Sequence, residues 1–268
     1  MNLKSIVFLF LVVALPHLAN AQLIPIDSVT VDAHEMEIDE LGKIYLLKVD
    51  ALELRTPDLK FLYQTGNGKL TTETQLDVSK SLKPLLFYPE YNIISLLDNT
   101  LSGQGSETTL PWDEFGQVSQ VCHSIGHHYW FFDQLSMKLY RVDYGLKIVT
   151  ATPDLSAVLG VSMNPTDMVE VQDKLYMVDP EHGVYVFDIY GSYVTTLKFT
   201  GYTSIQAFSD RIFLFNGNHI LKYNLTTKQQ ELFELPYSNV RDISIHGGNF
   251  YVLTPGKLIK IKYRHSAN

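Results

Sequence analysis

The sequence predicts an all-β protein, a six-bladed β-propeller. Three observations lead there: an aromatic strand motif recurs along the chain, a second strand follows most copies across a tight turn, and the ends look complementary. The last copy stops one strand short, while the first strand of the chain has no blade of its own. Periods near 40 residues with several strands each are the mark of propeller blades.

Gly42-Lys43-Ile44-Tyr45-Leu46 is the first copy. Later copies are Asp173-Lys174-Leu175-Tyr176-Met177-Val178-Asp179, Asp210-Arg211-Ile212-Phe213-Leu214-Phe215 and Gly248-Asn249-Phe250-Tyr251-Val252-Leu253. Looser ones run from Tyr91 to Asp98 and from Gly126 to Asp133. Aligned on Tyr45, Ile94, Trp130, Tyr176, Phe213 and Tyr251, they are spaced 49, 36, 46, 37 and 38 residues apart. The second strands read Leu52-Glu53-Leu54, Lys138 to Val142, Gly183 to Phe187, Ile220 to Tyr223 and Lys257 to Ile261, several with the period-two alternation of a strand. Asn216-Gly217 and Pro255-Gly256 supply the backbone angles that tight turns need. A third strand leads outward (Tyr193 to Phe199, Gln230 to Leu235), and a fourth precedes each repeat (Arg241 to Ile245). Ile24 to Val31 is expected to complete the last blade, because an open ring leaves two sheet edges exposed. Thr71 to Leu82 reads as a linker, and Asp154 to Leu159 as a short helix.

Residues 1–21 read as a signal peptide: Lys4, an apolar run Ile6 to Leu15, the breaker Pro16, then Ala19-Asn20-Ala21. The run is too short to span a bilayer, which takes about 20 residues. Residue 22 is Gln rather than Cys, so no lipid anchor is expected, and 22–268 reads as one propeller domain of 247 residues in the periplasm. Loss of Lys4 moves the net charge from −8 to −9, which argues against nucleic acid as a partner. The single Cys122 cannot form an internal disulfide and is expected to be buried and inert.

No catalytic constellation stands out, and neither a metal nor another cofactor is expected. His123, His127 and His128 cluster, but alternation places the last two on opposite strand faces; they read as exposed turn and strand residues. His182 reads as a turn residue. Asp98, Asp133, Asp143, Asp179 and Asp188 each end an apolar strand, where Asp caps a turn through its own backbone. The expected role is binding. A metal-dependent hydrolase or lactonase, or a glycan-binding module, is the alternative. Two stretches are richer in large apolar residues than turns require. They make Phe87, Tyr88, Tyr91, Asn99, Leu101, Tyr185, Phe187, Tyr190 and Tyr193 candidates for a partner-binding patch.

Those stretches carry a resemblance. Phe87-Tyr88-Pro89-Glu90-Tyr91-Asn92 with Leu97-Asp98-Asn99-Thr100-Leu101, then Tyr129 to Asp133 with Leu139 to Asp143, then Met177 through Tyr193, are similar in content and order to exported propeller-like proteins of Bacteroidota. The chain departs from them at His182, where another polar type is expected. The resemblance implies kinship with the periplasmic plug of the type nine secretion translocon. Its partner would be a large outer-membrane β-barrel translocon subunit, and no catalytic residues are implied.

Overall fold

The computed structural model describes residues 22–103 and 107–264; residues 1–21, expected to be a signal peptide, lie outside the described residues. The fold is a six-bladed β-propeller, six antiparallel sheets of four strands each. Blade one holds β2 (Glu35–Ile38), β3 (Ile44–Leu47), β4 (Leu52–Arg55) and β5 (Phe61–Thr65). Blade two holds β6 (Gln75–Asp77), β7 (Leu85–Tyr88), β8 (Ile93–Leu96) and β9 (Thr108–Thr109). Blade three holds β10 (Val118–Ser124), β11 (His128–Asp133), β12 (Lys138–Asp143) and β13 (Ile148–Ala151). Blade four holds β14 (Asp167–Val171), β15 (Lys174–Asp179), β16 (Gly183–Asp188) and β17 (Tyr193–Leu197). Blade five holds β18 (Ser204–Ala207), β19 (Arg211–Asn216), β20 (His219–Asn224) and β21 (Gln230–Glu234). Blade six holds β22 (Asp242–His246), β23 (Asn249–Thr254), β24 (Lys257–Arg264) and, from the other end of the chain, β1 (Gln22–Thr30).

The pairing of β1 with β24 covers eight residue pairs, from Gln22↔Arg264 to Thr30↔Lys257, with a shift between Pro25 and Asp27. Pro25 lacks an N–H, and an outer strand with one free edge tolerates that loss.

The apolar core is divided among the blade junctions. Among the described residues there are six clusters, each drawing on two neighbouring blades: Tyr45 and Leu54 with Leu86 and Tyr88, for example, or Trp130 and Phe132 with Met177 and Phe187. The middle strands are therefore covered on both faces. Successive side chains point to opposite faces, so Phe87 packs toward blade three and Tyr88 toward blade one. This explains why β7, β11, β15 and β19 read as nearly unbroken apolar runs.

Two expectations change in blade two. The supposed linker Thr71 to Leu82 contains its inner strand, β6. Ile94 lies in the third strand, β8, and the equivalent of Tyr45 is in β7. Aligned on Phe87, the first two spacings become 42 and 43, closer to an even period. The turn between β7 and β8 is a 3-10 turn, Pro89–Tyr91, closed by Asn92 in the left-handed conformation with φ of 52°. The helix expected after Asp154 is α2 (Leu155–Leu159), capped by the Asp154 carboxylate on the amides of Ser156 and Ala157. The long connection before Gly116 carries a second short helix, α1 (Trp112–Phe115).

Candidate functional site

The inner strands β2, β6, β10, β14, β18 and β22 surround a central channel with a cavity of about 630 Å³, lined by Glu35, Glu37, Asp77, Asp167, Asp242 and others. Most of these side chains tie each blade to the next. Glu35 accepts the Leu76 amide. Asp77 Oδ2 accepts His123 N–H at 2.6 Å, and Gln120 Nε2 donates to the Pro165 carbonyl at 3.3 Å. Asp167 Oδ2 accepts Ile205 N–H at 2.8 Å. Gln206 bonds both the N–H and the carbonyl of Ile245, at 2.7 and 2.9 Å. Asp242 Oδ2 accepts Met36 N–H at 2.7 Å, completing the circuit from blade six to blade one. Inner strands of neighbouring blades diverge too much for a continuous ladder, so side chains satisfy the amides that a ladder would have paired.

The channel is electrostatically strained toward protonation. Burial raises the pKa of Asp167 to about 6 and of Asp242 to about 7, even though each accepts two backbone N–H groups. Burial and neighbouring carboxylates hold Glu35 and Glu37 well above the usual range. Among the described residues, no three His, Cys, Asp or Glu side chains converge as a metal ion would require.

The five strand-end aspartates act as turn caps. Asp98 accepts the amides of Thr100 and Ser102, Asp143 those of Gly145 and Lys147, and Asp188 those of Tyr190 and Ser192. Asp133 accepts from Gln117 and Leu135, and Asp179 from Asn164, Glu181 and His182. Cys122 is buried, and burial pushes its thiol pKa well up. His123 corrects the expectation of exposed histidines. It is buried, with Nε2 2.7 Å from the Lys83 carbonyl, and desolvation lowers its pKa.

Five of the nine candidate partner residues are core residues: Phe87, Tyr88, Leu101, Tyr185 and Phe187 are each at most 3% exposed. Packing of both blade faces removes them from any surface. Tyr91, Asn99, Tyr190 and Tyr193 are exposed, but the fold does not gather them. Tyr91 lies in the β7–β8 connection, at one end of the blades. Asn99 and Tyr190 lie in the β8–β9 and β16–β17 connections, at the other end, and Tyr193 begins an outer strand. Exposed apolar residues missed in the sequence reading include Trp112, Leu135 and Val158. They sit in connections without repeat character; the apolar residue between polar neighbours in Gln134-Leu135-Ser136 was the available signal.

No known family pattern matches the chain, and no curated protein matches it in sequence. Solved structures do. An exported protein from Bacteroides fragilis aligns with a TM-score of 0.62 at 9% identity, over 92% of this chain and 95% of that one. Virginiamycin B lyase from Staphylococcus aureus aligns at 0.61 and 13% identity, over 88% and 99%. BamB from Moraxella catarrhalis aligns at 0.55 and 9%, over 92% and 100%. At these identities, the likeness establishes the propeller fold.

Proposed function

We propose that this chain is an exported, non-enzymatic binding protein that closes the periplasmic mouth of a protein-secretion translocon in the outer membrane. The observation that carries the reading is the way the ring is built. Every blade junction has its own apolar cluster, and the channel's polar side chains hold neighbouring blades together. Blocking a pore needs a broad, stiff body, and a closed ring of interlocked blades supplies one. A leader followed by Gln22 rather than Cys, and the ordered motifs from Phe87 to Tyr193 that resemble exported propeller-like proteins, support the same reading.

The test is affinity purification of the tagged mature protein from outer-membrane extracts, followed by mass spectrometry. A large β-barrel subunit should be recovered in stoichiometric amount. Recovery of no membrane protein under gentle extraction, or a stoichiometric divalent cation with hydrolytic turnover in the purified protein, would replace the reading.

A further inference from the structure

The end of the propeller that carries the β7–β8 connection bears an arc of exposed apolar residues on neighbouring segments. Tyr91, Trp112, Leu135 and Val158 are 44, 55, 77 and 56% exposed. Their segments are joined edge to edge. The Leu110 amide donates to the Asn92 carbonyl at 2.8 Å and Asn92 Nδ2 to the Leu110 carbonyl at 2.7 Å, setting the Trp112 helix beside Tyr91. The Gln134 amide donates to the Gln117 carbonyl at 2.9 Å, joining the Leu135 turn to the end of that helix. The Leu155 amide donates to the Met137 carbonyl at 2.8 Å, bringing the Val158 helix alongside.

The arc rests on fixed supports. Phe115, on the Trp112 helix, is fully buried, edge-on to Phe131 and Tyr140 at ring separations of 5.4 and 5.5 Å. Leu155 anchors the other helix in the core. Large exposed apolar side chains on rigid supports lose little entropy on docking, and tryptophan is a frequent energetic centre of interfaces.

The charge around the arc is one-sided. Glu90, Asp113, Glu114 and Asp154 are all exposed within these same segments. Within them no lysine or arginine occurs; Lys138 acts on Asp154, and Lys69, ahead of the Trp112 segment, is paired with Glu107 at 2.6 Å. At the opposite end, exposed Leu41 and Ile125 lie near lysines: Lys43 is two residues from Leu41, and Lys80 bonds the Ser124 carbonyl.

We infer that this arc is the docking surface for a cationic, amphipathic segment of a protein partner, with apolar side chains seated on Trp112 and Leu135 and lysines or arginines set against the four carboxylates. The inference deepens the binding role proposed above and rests on it. Complementary charge at such a rim raises the association rate and makes binding sensitive to salt.

The experiment places a photoreactive amino acid at Leu135, at Leu41 on the opposite end, or at Phe61 on the outer rim, in cells making the full chain. The cross-linked peptide is then sequenced. The expected result is an adduct from Leu135 to a segment of net positive charge. Its yield should fall at least tenfold when Asp113→Lys and Glu114→Lys are combined, with the circular dichroism spectrum unchanged. Adducts from Leu41 or Phe61 but not Leu135, or a Leu135 adduct to an acidic or uncharged segment, overturn the surface and leave the binding role standing. Absence of adducts from all three positions overturns both.

Discussion

Raising the pH from 5 to 8 should weaken this propeller, and the channel carboxylates set the amount. Asp242 has its pKa raised from 3.8 to about 7, and Asp167 from 3.8 to about 6. In the unfolded chain both are ionised by pH 5. In the folded chain both still hold protons there. The folded state thus binds more protons between these limits, and stability falls as pH rises. Each pKa unit corresponds to about 1.4 kcal/mol. Asp242 traverses about two units above pH 5 and Asp167 about one, roughly 4 kcal/mol from this pair; Glu35 and Glu37, also raised, add to the fall, and His34 and His123, lowered by burial, subtract from it. Both aspartates face a channel open to water, whose screening reduces the effect to roughly 2 kcal/mol. With a urea slope of about 3 kcal/mol/M, the midpoint should fall by about 0.7 M. Asp242→Asn removes the titration and keeps an acceptor for the Met36 amide, now 2.7 Å from Oδ2, at the cost of the Ile243 N–H bond to Oδ1. The variant should be no more stable than the parent at pH 5, gain on it by pH 8, and show a flatter profile. Urea titrations of both proteins at pH 5, 6.5 and 8 measure this. A midpoint that rises with pH, or the same pH slope in Asp242→Asn, refutes the reasoning.

Other expected outcomes follow from local geometry. Removing residues 22–30 exposes the β24 edge and eliminates eight registered pairs; a loss on the order of 3–5 kcal/mol in denaturant titration is expected after the entropy of ordering the strand is deducted, and an unchanged midpoint would argue against closure by β1. Gly183→Ala should cost roughly 3 kcal/mol in the same assay, because Gly183 has φ of 109° and a Cβ there would lie 2.3 Å from the Leu197 carbonyl oxygen. Cys122 is buried with a raised thiol pKa, so a thiol reagent should label it only after denaturation; rapid native labelling would contradict its placement. Trp112 is exposed and Trp130 buried, so acrylamide should quench the native emission incompletely, and Trp112→Phe should remove the quenchable fraction.

The blade architecture was legible because it rests on short-range chemistry. Tyr45, Trp130, Tyr176, Phe213 and Tyr251 all fall in second strands of their blades. Blade two was misaligned at its β7–β8 connection, where Pro89–Tyr91 form a 3-10 turn closed by Asn92 in the left-handed conformation. The turn role of Asp98 and its four counterparts was legible for the same reason, being local. Surface was not. Phe87 and Tyr185 look like interface residues in a linear reading, and only the packing of a neighbouring blade on each face shows them as core. The channel circuit was hidden for a related reason. Asp77 meets His123, and Asp242 meets Met36, across 46 and 206 residues, distances that no local pattern encodes.

The central claim, that this protein closes a pore in the outer membrane, is tested most directly by permeability. Cells lacking the chain, cells restored with it, and cells restored with the Asp113→Lys and Glu114→Lys form are compared for entry of a hydrophilic antibiotic too large for ordinary porins. Loss of the chain should admit the antibiotic and restoration should exclude it. The charge-reversed form, produced at equal level, should fail to restore. Unchanged exclusion in cells lacking the chain would contradict the claim.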